Sequence, residues 1–132
     1  MLRINSIVRG KCTSYSNEGE GVIHLNKEVI FVKGLIIDEE ADILIKYNRA
    51  GINYGSIKKI YNLSKERINP KCKVATACGG CAFQSLSYPK QLEYKSNKVK
   101  DAFKYISKID VKVNDCIGMD HPYYYRNKIQ TP

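Results

Sequence analysis

No apolar run in this chain reaches the ~20 residues that a membrane-spanning helix needs. Its opening, Met1-Leu-Arg-Ile-Asn5, lacks the long apolar stretch and small-residue cleavage site of a secretory leader, so the default compartment is the cytoplasm, with no membrane partner. Histidine is scarce. His24 and His121 stand alone, and neither is paired in the sequence with a candidate nucleophile. His24 sits inside a strand pattern and reads as a surface or packing residue. No catalytic residue can be nominated from the residues themselves.

Acidic residues are also in short supply, with 13 Asp and Glu against 22 Lys and Arg, for a formal charge of +9. The excess is uneven. Residues 1–60 carry 9 cations and 7 anions, whereas residues 61–132 carry 13 and 6. A basic second half points to a polyanionic partner, most often nucleic acid, against the plainer alternative of solubility. Hydrophobic residues at 43% and charged residues at 27% support a packed core and argue against wholesale disorder. At 132 residues the chain suits one ordinary domain or two small ones.

What is there begins as β. Residues 3–11 read as a first strand, and Thr13 to Gly21 as a polar loop with glycine turn signals. Val22–Leu25 and Glu28–Lys33 form a hairpin around Asn26-Lys27. Leu35–Ile37 is a connector ahead of acidic Asp38-Glu-Glu40. Asp42–Tyr47 alternates as a fourth strand, and residues 55–62 form a fifth. Five short strands in about 60 residues predict a small closed or nearly closed OB-like barrel over residues 1–62, because closure removes exposed edges. Barrels of this kind commonly bind oligonucleotides, and one of net charge +2 could equally be a spacer.

Residues 63–86 are a basic linker leading into Cys72-Lys-Val-Ala-Thr-Ala-Cys78-Gly-Gly-Cys81. A soft metal needs several thiolates at one point, and a Cys-x-x-Cys turn supplies two from one loop. Gly79 and Gly80 allow positive φ and free backbone N–H groups toward the sulfurs. Five cysteines, three of them clustered, favour metal binding in a reducing compartment over a disulfide framework. Three thiolates are one short of a closed site. Cys12, Cys116 or His121 could complete one, so zinc on Cys72, Cys78, Cys81 and Cys116 or His121 stands as an alternative. A thioredoxin-like pair lacks its βαβ context.

Residues 87–108 have helical periodicity, with Ser87 as N-cap and Pro89 in the first turn. Tyr88, Leu92, Val99, Phe103 and Ile106 fall on one side, and Lys90, Lys98, Lys100, Lys104 and Lys108 spread across the other. The basic face is a candidate phosphate contact or simply a solvated face. Residues 109–132 begin with an expected strand or extended segment from Ile109 to Ile117, turn at His121-Pro122, and end in Tyr123-Tyr-Tyr125-Arg126-Asn-Lys128-Ile-Gln-Thr-Pro132. Aromatic planes stack bases while cations hold phosphate, which makes Tyr125, Arg126 and Lys128 RNA-contact candidates. The fold class is α+β: barrel, cysteine-rich loop, amphipathic helix, and the start of an unfinished β domain.

These segments, in this order, resemble the SAM-dependent RNA (uracil-5-)-methyltransferases that act on rRNA and tRNA. Asn17-Glu-Gly-Glu-Gly-Val22 and Val29-Ile-Phe-Val-Lys-Gly34 are similar to the family's TRAM barrel. Ser64–Cys72 and Cys78-Gly-Gly-Cys81-Ala-Phe-Gln84 through Lys95 resemble its iron–sulfur loop and following helix. Tyr125-Arg-Asn-Lys-Ile-Gln130 resembles the opening of its central RNA-binding domain. The resemblance implies that Cys72, Cys78 and Cys81 are three of four ligands of a 4Fe-4S cluster, with the fourth beyond Pro132. It also implies a Rossmann-like domain, absent here, in which a cysteine adds to uracil C6 and C5 takes the methyl group from SAM. No glycine-rich SAM motif occurs in this chain. The expectation is therefore an RNA-binding N-terminal fragment, inactive alone, with a companion chain as one source of the catalytic domain. Methylthiotransferases also join a TRAM barrel to a cluster, but with three and two residues between cysteines and a C-terminal barrel. A stand-alone RNA-binding module with a zinc site is the second hypothesis.

Overall fold

The computed structural model describes residues 1–128; Ile129 and Gln130 of the expected central-domain segment lie outside them. The chain divides into two compact units, Met1–Tyr88 and a second beginning at Pro89.

The first unit is built on five strands: β1 (Ile7–Tyr15), β2 (Gly21–Leu25), β3 (Glu28–Val32), β4 (Glu40–Arg49) and β5 (Ile52–Asn62). They close into a barrel in the order β1-β2-β3-β5-β4, antiparallel except for the β3–β5 pair. This is the OB-like arrangement expected from five alternating segments. Alternation turns Cys12, Ile23, Ile30, Val32, Ala41, Ile43 and Ile45 inward with Leu35, all at most 1% exposed. Partly buried Leu2, Val8, Leu25, Ile37, Ile57 and Ile60 pack around them.

Several boundaries differ from expectation: the fourth strand runs Glu40–Arg49 rather than 42–47, and Thr13–Tyr15 and Gly21, expected in a loop, belong to β1 and β2. The first strand runs Ile7–Tyr15 rather than 3–11, because Asn5 adopts φ 66° and the Ser6 N–H donates to the Arg3 carbonyl, forming a turn. Side-chain amides pin the residues before it: the Leu2 N–H donates to Asn53 Oδ1 (2.9 Å), and Asn48 Nδ2 donates to the Leu2 carbonyl (3.0 Å). The fifth strand begins at Ile52, not at residue 55. Ala50 and Gly51 both take positive φ (48° and 79°), so β4 and β5 meet in a tight hairpin. The Asn26 turn between β2 and β3, with φ 55°, stands where the sequence placed it.

The segment after the barrel is more than a linker. Ile68 N–H donates to the Ser85 carbonyl and Ser87 N–H to the Glu66 carbonyl, with Arg67 bridging Leu86 between them. Residues 66–68 and 85–87 are thus the two legs of a loop that carries all three clustered cysteines. Leu86 is buried. Arg67 reaches back to Glu39, whose side chain is 0% exposed: Nε donates to Oε1 at 2.6 Å and one Nη to Oε2 at 2.7 Å. The Ile36 and Ser64 N–H groups complete the shell. Burial pushes this carboxyl up, but Arg67 and the two backbone donors outweigh it and hold it below its ordinary range.

The second unit holds most of the helix α2 (Tyr88–Asp101; α1 is the short turn Ala75–Cys78), continued by a π-helical stretch, Ala102–Ser107. Lys108 ends it in the left-handed region at φ 58°, donating its N–H to the Phe103 carbonyl. Ser87 stands one residue before α2 as expected, but its hydroxyl donates to Glu66. The apolar side is not a core face among the described residues: Val99, Phe103 and Ile106 are 46%, 40% and 81% exposed. The expected strand at 109–117 is absent too. Those residues form no ladder, and the Cys116 N–H instead donates to Ser96 Oγ at 2.8 Å. A lone extended segment has no neighbouring strand to satisfy its backbone.

Candidate metal loop and nucleic-acid surface

Cys72 begins the loop, half-buried. The short helix α1 follows, and Gly79 ends it at φ 68°, the left-handed position where a side chain would be strained. A Cβ on Gly79 would also lie 2.8 Å from Lys33 Nζ. That ammonium extends from just past β3 and donates to the Gly79 carbonyl at 2.6 Å, fixing a positive charge beside the Cys78–Cys81 turn. Cys78 and Cys81 are exposed.

Gln84 ties the two ends together. Its Oε1 accepts the Cys72 N–H at 3.2 Å, and its Nε2 donates to Cys81 Sγ at 3.3 Å. Phe83 seats the loop on the barrel, its ring edge-on to Tyr15 with centroids 5.3 Å apart. Gly19, at φ 81°, makes room: a Cβ there would lie 2.8 Å from the Phe83 ring. The Ile37 N–H donates to the Tyr15 hydroxyl at 3.2 Å, and burial pushes that phenol up to about 12.

The loop fits a soft metal or an iron–sulfur cluster by the chemistry of its donors: three free thiols, glycine N–H groups and a fixed cation. The fit is one of donor type. Among the described residues, no three histidine, cysteine or carboxylate side chains gather closely enough to hold a metal ion. The other cysteines differ in kind. Cys12 is wholly buried in the barrel, and burial pushes its thiol up to about 11, which keeps it protonated and inert. Cys116 and His121 belong to the second unit, Cys116 half-buried and His121 exposed.

The nucleic-acid candidates lie in the second unit. Lys90, Lys98, Lys100 and Lys104 are all exposed along α2 and its continuation. Lys90 pairs with Glu93 at 2.6 Å, and Lys104 lies 5.4 Å from the Tyr105 ring centroid. Tyr125, Arg126 and Lys128 are exposed in a segment without regular structure.

The sequence left a second surface unread, on the outside of the barrel. Phe31, Tyr54 and Tyr47 are register partners across β3, β5 and β4. Tyr47 stacks on Tyr54 with centroids 4.7 Å apart and planes 11° from parallel, and Phe31 meets Tyr54 edge-on at 5.6 Å. Only the strand register brings these three together, so no local motif announces them. On the β1 side of the same strands, Arg9 lies 3.9 Å over the Tyr61 ring and also binds Asp42. Hydrogen bonds from Arg9 and Tyr61 hold the Asp42 carboxyl below its ordinary range.

No family model matches the chain. Among curated proteins it is 42% identical, over 99% of its length, to an uncharacterized RNA methyltransferase of Clostridium tetani. It is 45% identical over 89% of its length to one of Caldanaerobacter subterraneus, and 35% identical over its whole length to one of Listeria monocytogenes. The matched region spans 28%, 26% and 29% of those relatives. No helix among the described residues is long and apolar enough to cross a membrane.

Proposed function

This chain is homologous over nearly its whole length to part of a set of RNA methyltransferases, and from that premise we propose that it is the RNA-binding, 4Fe-4S-bearing portion of an RNA uracil-5-methyltransferase modifying rRNA or tRNA. The loop between residues 66–68 and 85–87 supports this reading, because one loop tied back to the barrel carries all three clustered thiols, and the Lys33 ammonium from the barrel binds its Gly79 carbonyl. Those cysteines supply three cluster ligands, and a fourth comes from elsewhere in the enzyme.

The cluster, when bound, supplies structural cross-linking. This chain's own residues would position it: Gln84 links the start and end of the loop, Lys33 holds the Gly79 carbonyl, and Phe83 on Tyr15 sets the loop against the barrel. Lys90, Lys98, Lys100 and Lys104 contact phosphates, and Tyr125, Arg126 and Lys128 contact bases and backbone. SAM binding and methyl transfer reside outside these residues, in the rest of the enzyme or a companion chain, and the assembly works in the cytoplasm.

Anaerobic purification followed by iron, sulfide and zinc analysis tests the reading. Iron with inorganic sulfide, lost together in a Cys72→Ser/Cys78→Ser/Cys81→Ser variant, supports it. Zinc at about one per chain without sulfide would favour a stand-alone module with a zinc site.

A further inference from the structure

We propose that the outer face of the barrel at Phe31, Tyr54 and Tyr47 is a stacking platform for an unpaired RNA base, distinct from the helical lysines and resting on the RNA-binding reading above. Phe31 and Tyr54 are half-buried and Tyr47 is exposed, so the row across three strands leaves an aromatic ring open to solvent. Here Tyr54 is covered on one side by Tyr47 and makes a T-shaped contact with Phe31, while Tyr47 remains 52% exposed. The row is therefore a stack with an open end. A base laid on Tyr47 would extend it, and stacking on an aromatic face tolerates any base.

Charge selects the occupant. Between Asp42 and Glu66 the chain carries Lys46, Arg49, Lys58, Lys59 and Lys65 and no carboxylate at all. Lys46 and Arg49 flank Tyr47 on β4, and both are exposed. Farther along β5, Lys58 is exposed, and Lys59 lies opposite Asp42 with its ammonium 4.8 Å from the Tyr61 ring centroid. Aromatic rings interleaved with cations on a barrel surface suit single-stranded nucleic acid, whose bases stack while its phosphates meet the cations. An apolar protein partner would gain nothing from this excess of positive charge. Base stacking on this surface predicts a binding term that salt does not screen, beside the salt-dependent one from the helical lysines.

The test uses the whole chain with a fluorescently labelled oligouridine and an abasic oligomer of equal length, read by anisotropy across a salt series. Tyr47→Ala is expected to weaken oligouridine binding by about tenfold at every salt concentration without changing the salt slope. Tyr47→Phe should bind within about twofold of wild type, and the abasic oligomer should not distinguish the variants. Ring resonances of Tyr47 and Phe31 in the unmodified protein should shift on adding oligouridine, which reads the site even if Tyr47→Ala folds poorly. Unshifted rings, or Tyr47→Ala binding as wild type while wild type still binds in a salt-dependent way, would overturn the platform and leave the RNA reading intact. No oligonucleotide binding at low salt would end both. Wild-type self-association that Tyr47→Ala abolishes would assign the face to a second copy of the chain and also overturn the proposal.

Discussion

Arg67 grips Glu39 through a two-point fork at 2.6 and 2.7 Å, and Glu39 is fully buried at the end of the barrel. One Nη of Arg67 also donates to the Gly34 carbonyl at 2.8 Å. One side chain thereby joins the segment that carries the cysteine loop to the barrel's β3–β4 connection. Removing either partner strands a buried charge, which is costlier than the pair itself is stabilising.

Arg67→Ala should therefore destabilise the first unit by about 3 kcal/mol or more. Thermal or denaturant unfolding measures this, and the loss should exceed that of Lys90→Ala, whose partner Glu93 is exposed and whose ion pair is of the weak surface kind.

The same carboxylate sets an acid dependence. Glu39 is held below its ordinary value, so the unfolded chain binds its proton more readily than the folded one. That stability is fully present above the ordinary glutamate range, about pH 4.3, and is lost as pH falls toward the folded value. Glu39→Gln should be less stable at neutral pH and lose less on further acidification. Equal losses for both proteins between pH 5 and 3 would rule Glu39 out as the source.

Thiol accessibility separates the cysteines. With its thiol pushed up to about 11 inside the barrel, Cys12 should react with a thiol reagent only when the protein unfolds. Cys78 and Cys81, exposed in the metal-free loop, should react quickly. Peptide mapping after brief alkylation reads out both rates, and bound metal should protect the loop cysteines alone.

The lysines of the helix make a salt-dependent prediction. Replacing Lys98, Lys100 and Lys104 with Ala should weaken RNA binding and reduce the slope of log affinity against log salt by about 2, at roughly 0.7 per phosphate contact on single strands. An unchanged slope would make this a solvated face.

The barrel was legible because inward residues such as Ile43 and Ile45 alternate with outward Asp42 and Leu44, and alternation is local. The β4–β5 hairpin was missed because Ala50 occupies a left-handed position that sequence rarely assigns to alanine. Glu39 sits in an acidic run, Asp38-Glu-Glu40, that resembles a solvated loop; only its distant partner Arg67 explains its burial. The aromatic row was hidden for the same reason, since Phe31 and Tyr54 are joined by a parallel register that no local pattern encodes. The helix was legible from its period. Its apolar side was expected to face a core, yet Ile106 is 81% exposed, because period shows that a face exists and not what covers it. The cysteine spacing located the loop, while Gln84's link between Cys72 and Cys81 required coordinates.

The proposal at the centre of this reading is that Cys72, Cys78 and Cys81 hold an iron–sulfur cluster in the loop tied to the barrel. Anaerobic purification of the chain with a small thiol present, followed by iron and acid-labile sulfide determination, tests it most directly. The account predicts a brown protein with iron and sulfide in equal amounts, colourless in the triple Cys→Ser variant. A colourless wild-type protein that carries zinc, or takes up no iron and sulfide on anaerobic reconstitution, would contradict it.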